Sequence, residues 1–331
     1  MAEVVLHEVS RRYGATLALD RLNMTIADGA FVVLLGPTGA GKTTTLRLIS
    51  GLEAPDGGDI LMGGRSVLRD TPAQRDVAMV FQQYSLYPHM SVRDNLAFPL
   101  RSPVLRTPAD EIAHKLREVA ATLRIEDKLD NKATELSGGE MQRVSIGRAL
   151  VRDPQLFLMD EPLSSLDAKL RADLRVELKR IHAQLGATLL YVTHDQIEAM
   201  TMATDIGVLD EGRLVQFGTP REVYENPESL YVAARLGLPR INALPADLFA
   251  GAPKGAKTIG LRPEHIRQGE GRAARVERIE RLGDQTRLHL QLDGHDIITL
   301  TDPHTELEPG DSLAIEPRNA LYFDVAGARI A

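Results

Sequence analysis

The sequence predicts an α/β fold with a mixed sheet, followed by a small all-β domain. Three observations carry that prediction. The runs Phe31–Leu35, Val77–Phe81 and Leu156–Met159 are continuously apolar, and Thr188–Val192 is apolar after its first residue, the pattern of strands buried on both faces. The first of them runs directly into a glycine-rich turn, Gly36-Pro37-Thr38-Gly39-Ala40-Gly41-Lys42-Thr43-Thr44, which opens into a helical stretch. Near the other end, Arg275–Leu300 alternates apolar and polar residues between turns at Gly283-Asp284 and Asp293-Gly294, as OB-like antiparallel strands do.

A chain of 331 residues is long enough for one large domain and a smaller one. Its 43% hydrophobic and 26% charged content is that of a soluble globular protein. No apolar run approaches the ~20 residues that span a bilayer, and Met1-Ala-Glu-Val-Val does not read as a signal peptide. With no cysteine there are no disulfides, thiolate metal sites or catalytic thiols. A net charge of −7 argues against a nucleic-acid-coating surface. The expectation is a soluble protein able to dock on a membrane partner.

Along the chain, Val4–Val9 reads as a strand and Arg11-Arg12-Tyr13-Gly14 as a turn, with Tyr13 placed to stack on a nucleobase. Leu22–Ile26 alternates, Asp28-Gly29 turns, and Asp59–Leu61 is a short strand between glycine pairs, so this region reads as antiparallel hairpins. From Ser91 to about Arg152 the pattern is helical. Within it Ile112, Leu116, Val119, Ala120 and Leu123 recur at helical spacing, marking a helical block inserted between two α/β segments. Tyr84–Met90, aromatic but broken by Pro88, is a candidate partner-docking segment. Leu170, Leu174, Leu178, Ile181 and Leu185 stripe one helix face and read as core.

The glycine turn has the form G-x-x-x-x-G-K-[ST], a phosphate-binding loop. Gly36, Gly39 and Gly41 are expected to adopt angles that side chains forbid and to bring amide N–H groups around phosphate oxygens. Lys42 supplies a charge for the terminal phosphates, the Thr43 hydroxyl is a ligand for Mg²⁺, and the helix N-terminus adds its partial positive charge.

Other polar residues close the apolar strands. Gln82 follows the run ending at Phe81, with both a donor and an acceptor for a metal ion or an attacking water. Asp160 and Glu161 end Leu156–Met159; the first is placed to hold Mg²⁺ and the second to orient or deprotonate a water attacking a γ-phosphate. His194 follows Thr188–Val192 at the same edge, placed to hydrogen-bond that phosphate. Ser137-Gly138-Gly139 precedes a helical run and forms a second anion site of hydroxyl and backbone N–H groups.

With these residues in this order the chain resembles the ATPase subunits of ABC transporters, and most closely the carbohydrate-importer type with a C-terminal TOBE, OB-like extension. The resemblance implies a P-loop NTPase core with a RecA-like mixed sheet, an antiparallel β subdomain and an inserted helical subdomain. It implies a nucleotide-binding domain over residues 1–235, with the helical part at about 91–152, and a β domain over 236–331. Residue by residue, Gly36–Thr43 matches the Walker A loop, Asp160 the Walker B aspartate and Glu161 the catalytic glutamate. Gln82 matches the Q-loop, Asp167 the D-loop, His194 the switch histidine and Tyr13 the adenine-stacking aromatic. Ser137-Gly138-Gly139 matches the signature that, in this family, binds ATP held by the opposite subunit.

The implied activity is hydrolysis of ATP, with Mg²⁺, coupled to solute import at the cytoplasmic face of the inner membrane. The implied partners are a second ATPase subunit, as a homodimer, two integral-membrane permease subunits and, indirectly, an extracytoplasmic solute-binding protein, with no nucleic acid. The expected cargo is a carbohydrate or related solute. A polyamine, iron or another small solute is the alternative cargo, and a soluble ABC ATPase acting on ribosomes or DNA is the competing class. Two departures stand out: Glu140 occupies a signature position where many relatives have glutamine, and the extension is short for the carbohydrate type, although Ile259–His265 resembles its hallmark.

Overall fold

The apolar runs become the parallel strands of one sheet. In a computed structural model, which describes residues 2–102 and 107–330, the chain divides into a first unit, Met1–Pro220, and a second, Arg221–Ala331. The first unit begins with β1 (Val4–Tyr13), β2 (Thr16–Ile26), β3 (Phe31–Leu35), α1 (Lys42–Ser50), β4 (Gly57–Met62), β5 (Arg65–Ser66) and β6 (Val77–Val80). The helical block follows as α2 (Val92–Ala97), α3 (Ala109–Leu123) and α4 (Gly138–Leu150). The unit continues through β7 (Leu156–Asp160), α5 (Ala168–Leu185), β8 (Leu189–Thr193), α6 (Gln196–Met202), β9 (Asp205–Asp210) and β10 (Arg213–Gly218).

The main sheet has the order β10-β9-β3-β8-β7-β6. Its strands from β9 to β6 are parallel, and β10 joins β9 as an antiparallel hairpin. All five residues of β3 and of β8 are buried, which explains why neither alternates in sequence. Because β8 lies between β3 and β7, the glycine turn and Asp160 reach one edge from strands that are not neighbours. Gly29 N–H donates to Thr188 Oγ1 at 3.0 Å, 159 residues away, fixing the start of β8 beside the start of β3. The second sheet, β2-β1-β4-β5, is antiparallel as expected. Its apolar face joins β3, α1 and β7 in one core.

Some local expectations change. The first strand runs to Tyr13 rather than Val9, through register shifts that the alternation of apolar residues hides, and Gly14, at φ 57°, turns it. β6 stops at Val80, and Phe81 is exposed. In α5, Leu174, Leu178 and Ile181 are buried, but Leu185 at the helix end is 47% exposed, so the expected stripe is shorter at that end.

The second unit takes up α7 (Pro220–Glu225) and contains α8 (Leu230–Arg235), β11 (Asn242–Pro245), β12 (Thr258–Leu261), β13 (Ile266–Arg281), β14 (Thr286–Leu292), β15 (His295–Thr301), β16 (Ser312–Pro317), β17 (Leu321–Phe323) and β18 (Arg329–Ile330). Its sheets, β11-β12-β17-β18 and β15-β14-β13-β16, share one core including Ile259, Leu261, Val276, Leu288 and Ile315. The division at 220/221 precedes the expected 235/236 because α8 packs with the β strands. Ala233, Ile241, Leu321 and Phe323 form one cluster. The buried Arg262 guanidinium donates to the carbonyls of Ala233 at 3.1 Å and Tyr224 at 2.9 Å and stacks 3.8 Å from the Tyr224 ring.

Candidate nucleotide site

Strand register gathers the site. Leu35 of β3 pairs with Thr193 of β8, and Asp160 of β7 pairs with Val192, so Gly36, His194 and Glu161 leave adjoining strands at nearly one level. Val80 of β6 pairs with Met159, which brings the exposed Gln82 to the same edge. This is the carboxyl end of a parallel sheet, where α/β folds place their ligands.

The loop from Gly36 to Gly41 is shaped by what it must avoid. Gly41 has φ 101°, and a Cβ there would lie 2.5 Å from Leu19 Cδ2 and 2.7 Å from the Ala18 carbonyl. Gly36 does not have the positive φ expected of it. Its constraint is the Leu209 carbonyl oxygen, 2.6 Å from where a Cβ would stand. Lys42 is 6% exposed, and its ammonium donates to the carbonyls of Gly36 and Pro37, both at 2.9 Å. No side chain caps the N-terminus of α1, so its first amides face the loop with the helix dipole behind them. Pro37 and Thr44 are half-buried, Thr38 and Gly39 are exposed, and Ala40 is buried as the loop turns inward.

Thr43 Oγ1 donates to Asp160 Oδ1 at 3.1 Å, which joins α1 to β7. Burial raises the Asp160 pKa above the usual aspartate range, and the Thr43 hydrogen bond is the largest opposing influence. Hydroxyl and carboxylate oxygens are the hard donors that Mg²⁺ takes together with phosphate oxygens. Among the described residues no cluster of three His, Cys, Asp or Glu could hold a metal alone.

Glu161 sits at φ 44°, a left-handed conformation uncommon for a non-glycine residue. It is held there by its own N–H to the Val192 carbonyl at 3.0 Å and by Ser164 Oγ, which donates to its carbonyl at 2.8 Å. His194 Nδ1 lies 3.2 Å from Glu161 Oε2. Assigned from that carboxylate partner, the proton is on Nδ1 and Nε2 points elsewhere. The sequence points His194 at a phosphate; in the structure the contact of its ring is with the Glu161 carboxylate.

Ser137 caps α4, and Gly138 and Gly139 form its first turn. Gly139 is glycine for packing, since a Cβ would lie 2.5 Å from Leu170 Cδ2. Asp167 caps α5 by accepting the Leu170 N–H at 3.0 Å. The exposed Tyr13 ring carries the Arg11 guanidinium 4.9 Å from its centroid, and its hydroxyl donates to Glu53. Sequence reasoning missed Arg148 on α4, whose guanidinium donates to the Ser85 carbonyl at 2.6 Å and the Tyr84 carbonyl at 3.4 Å. It also missed the 3.0 Å contact between Tyr84 Oη and Ser165 Oγ. Neither has a spacing signal, because each depends on a turn that brings distant segments together.

Similarity to known proteins agrees with this geometry. The ABC transporter family model matches residues 19–164 and the TOBE domain model residues 259–323. An uncharacterized ABC transporter ATP-binding protein, y4oS, of Sinorhizobium fredii is 44% identical over all of this chain and 95% of its own length. The sn-glycerol-3-phosphate import ATP-binding protein UgpC of Ruegeria pomeroyi is 46% identical over 89% of this chain and 88% of its own. Among solved structures, cbiO1 from Clostridium perfringens, part of the ABC transporter complex cbiONQ, superposes with TM-score 0.62 at 28% identity over 66% of this chain and 89% of its own. The dimeric bacterial ABC transporter cassette MJ0796 superposes with TM-score 0.59 at 28% identity over 66% of this chain and 99% of its own. No helix among the described residues is long and apolar enough to cross a membrane. The chain belongs to the ABC transporter family, as an ATP-hydrolysing, ATP-binding subunit of the import class.

Proposed function

We propose that two copies of this chain close head to tail on two ATP molecules, the phosphate loop of each facing Ser137-Gly138-Gly139 of the other. The observation that carries this reading is the sheet edge itself. Lys42, Thr43, Asp160, Glu161 and His194 converge there, whereas Ser137 caps a helix of the separate helical block. Thr43 and Asp160, with Gln82, hold Mg²⁺, which screens the phosphates when bound. Lys42 exchanges its loop carbonyls for phosphate oxygens, Glu161 orients the attacking water, and His194 holds Glu161 in line. Tyr13 stacks on the adenine, and Asp167 shapes the D-loop against the partner site.

Two permease subunits would receive the motion at a groove of about 500 Å³ lined by Tyr87, Phe98, Pro99, Arg148 and Arg152. There the Tyr87 and Phe98 rings lie 4.4 Å apart. Asn95 fixes Tyr87 by accepting its N–H at 2.8 Å and donating to its carbonyl at 3.1 Å. The cargo is a carbohydrate or a phosphorylated polyol, a reading supported by relatives named for sn-glycerol-3-phosphate import. The subunit would sit at the cytoplasmic face of the membrane, with a solute-binding protein delivering cargo to the permease from outside.

The test is Glu161→Gln with ATP. A stable dimer on size exclusion, with hydrolysis abolished, supports the sandwich; a monomer at saturating ATP, or full hydrolysis, overturns it. Lys42→Ala is expected to lose ATP binding. Uptake of labelled sn-glycerol 3-phosphate and of maltose, in cells carrying the cognate permease, separates the cargo classes.

A further inference from the structure

Ser137 has one hydroxyl proton, and in this structure it is already committed. Its Oγ donates to Glu140 Oε2 at 2.8 Å, and its backbone N–H donates to the same oxygen at 2.8 Å. The Glu140 N–H returns to Ser137 Oγ at 3.4 Å, closing a capping box. The other carboxylate oxygen, Oε1, lies 3.3 Å from Lys128 Nζ, which also lies 3.3 Å from the Asp127 carboxylate. The backbone bond from Ser137, followed by its hydroxyl, holds the Glu140 carboxyl below the usual glutamate range. Glu140 is therefore a fixed negative charge at neutral pH.

That charge sits at the mouth of an anion site. The first amides of α4 and the helix dipole attract a phosphate, and a carboxylate hydrogen-bonded to the capping residue opposes the same field. The hydroxyl cannot donate to Glu140 and to a phosphate oxygen at once. A glutamine would keep the cap through its amide oxygen and bring no charge.

We propose that Glu140 is an electrostatic brake on closure of the ATP sandwich, and that Lys128 is its counterweight. In the open chain Glu140 holds the Ser137 hydroxyl and offsets the positive end of α4. As the γ-phosphate of the partner's ATP arrives, Ser137 turns its proton to the phosphate and the carboxylate is drawn toward Lys128. ATP must overcome this exchange before the dimer closes, so Glu140 raises the ATP concentration at which the machine engages. The inference rests on the head-to-tail reading above. Glu140 and Lys128 are positioning residues here, since both act through Ser137 and the local field.

The experiment uses the full chain in a Glu161→Gln background, following ATP-dependent dimerisation by sedimentation at low ionic strength. Adding Glu140→Gln is expected to lower the ATP concentration at half-dimerisation about tenfold, with Tm unchanged because the cap is retained. Adding Lys128→Met is expected to raise it severalfold. Both side chains are partly exposed, so 0.5 M salt should shrink both shifts. An unchanged or raised midpoint for Glu140→Gln overturns the brake, as does a shift that salt leaves intact. If the Glu161→Gln chain itself stays monomeric with ATP, the sandwich reading fails first, and that outcome is distinct from dimers with unshifted midpoints.

Discussion

Arg148 and Ser85 are joined by a 2.6 Å hydrogen bond from the guanidinium to the backbone carbonyl. Arg148 lies about three turns beyond Ser137 on the same helix, and Ser85 follows Gln82 in the loop that leaves β6. The loop that follows β6 and the helix capped by Ser137 are thereby tied together. The Arg148 guanidinium also lies over the Tyr87 ring, 5.6 Å from its centroid. Arg148→Met should therefore separate hydrolysis from transport. Basal ATPase is expected to stay within about twofold of the parent, while permease-stimulated ATPase falls about tenfold in reconstituted vesicles. Equal loss of both rates would show that Arg148 supports the fold rather than the coupling.

His194 is an exposed side chain whose contact is Glu161, so its removal should cost catalysis and little else. His194→Ala is expected to lower kcat about 100-fold, with ATP affinity and Tm unchanged. Measuring kcat beside nucleotide affinity separates this outcome from a collapsed site, in which both would change.

Gly139→Ala should destabilise the first unit by about 1–3 kcal/mol, since its methyl group must displace Leu170. Leu170→Ala in the same chain should recover part of that loss, because the space is returned. Urea denaturation of the two single variants and the double variant reads the coupling. Strict additivity would remove the steric explanation.

Glu198, 3% exposed, accepts hydrogen bonds from Tyr191 Oη at 2.8 Å and Thr193 Oγ1 at 2.7 Å, both on Oε2. Burial raises its pKa above the ordinary glutamate value of 4.5. The folded state therefore binds a proton more readily than the unfolded chain. Stability from this group is full below the ordinary value and is lost as pH rises through the folded one. Glu198→Gln keeps an oxygen for both donors and removes the charge. It is expected to raise Tm by about 2–4 °C at pH 8, with the advantage vanishing near pH 4. A variant less stable than its parent at pH 8 would contradict the buried-charge account.

Much of this architecture could be read without coordinates, because buried parallel strands leave continuous apolar runs and the phosphate loop admits few substitutes. The placing of Gln82, Asp160, Glu161 and His194 at one sheet edge was legible for the same reason: residues at or just past the end of a buried strand report its edge. What stayed hidden depended on side-chain reach and backbone approach. The restriction at Gly36 comes from a carbonyl on β9, and Gly139 answers to a leucine on another helix. The link between Arg148 and Ser85 crosses 63 residues and leaves no period in the sequence. The division between the units moved for a similar reason, since helices that follow the first sheet in sequence pack with strands made later.

The placement of β8 between β3 and β7 has a consequence for biosynthesis. The phosphate loop leaves the ribosome early, but the strand that must lie beside it begins next to Thr188, the partner of Gly29 across 159 residues. A nascent chain can carry the whole loop and still lack the sheet edge that gives it shape.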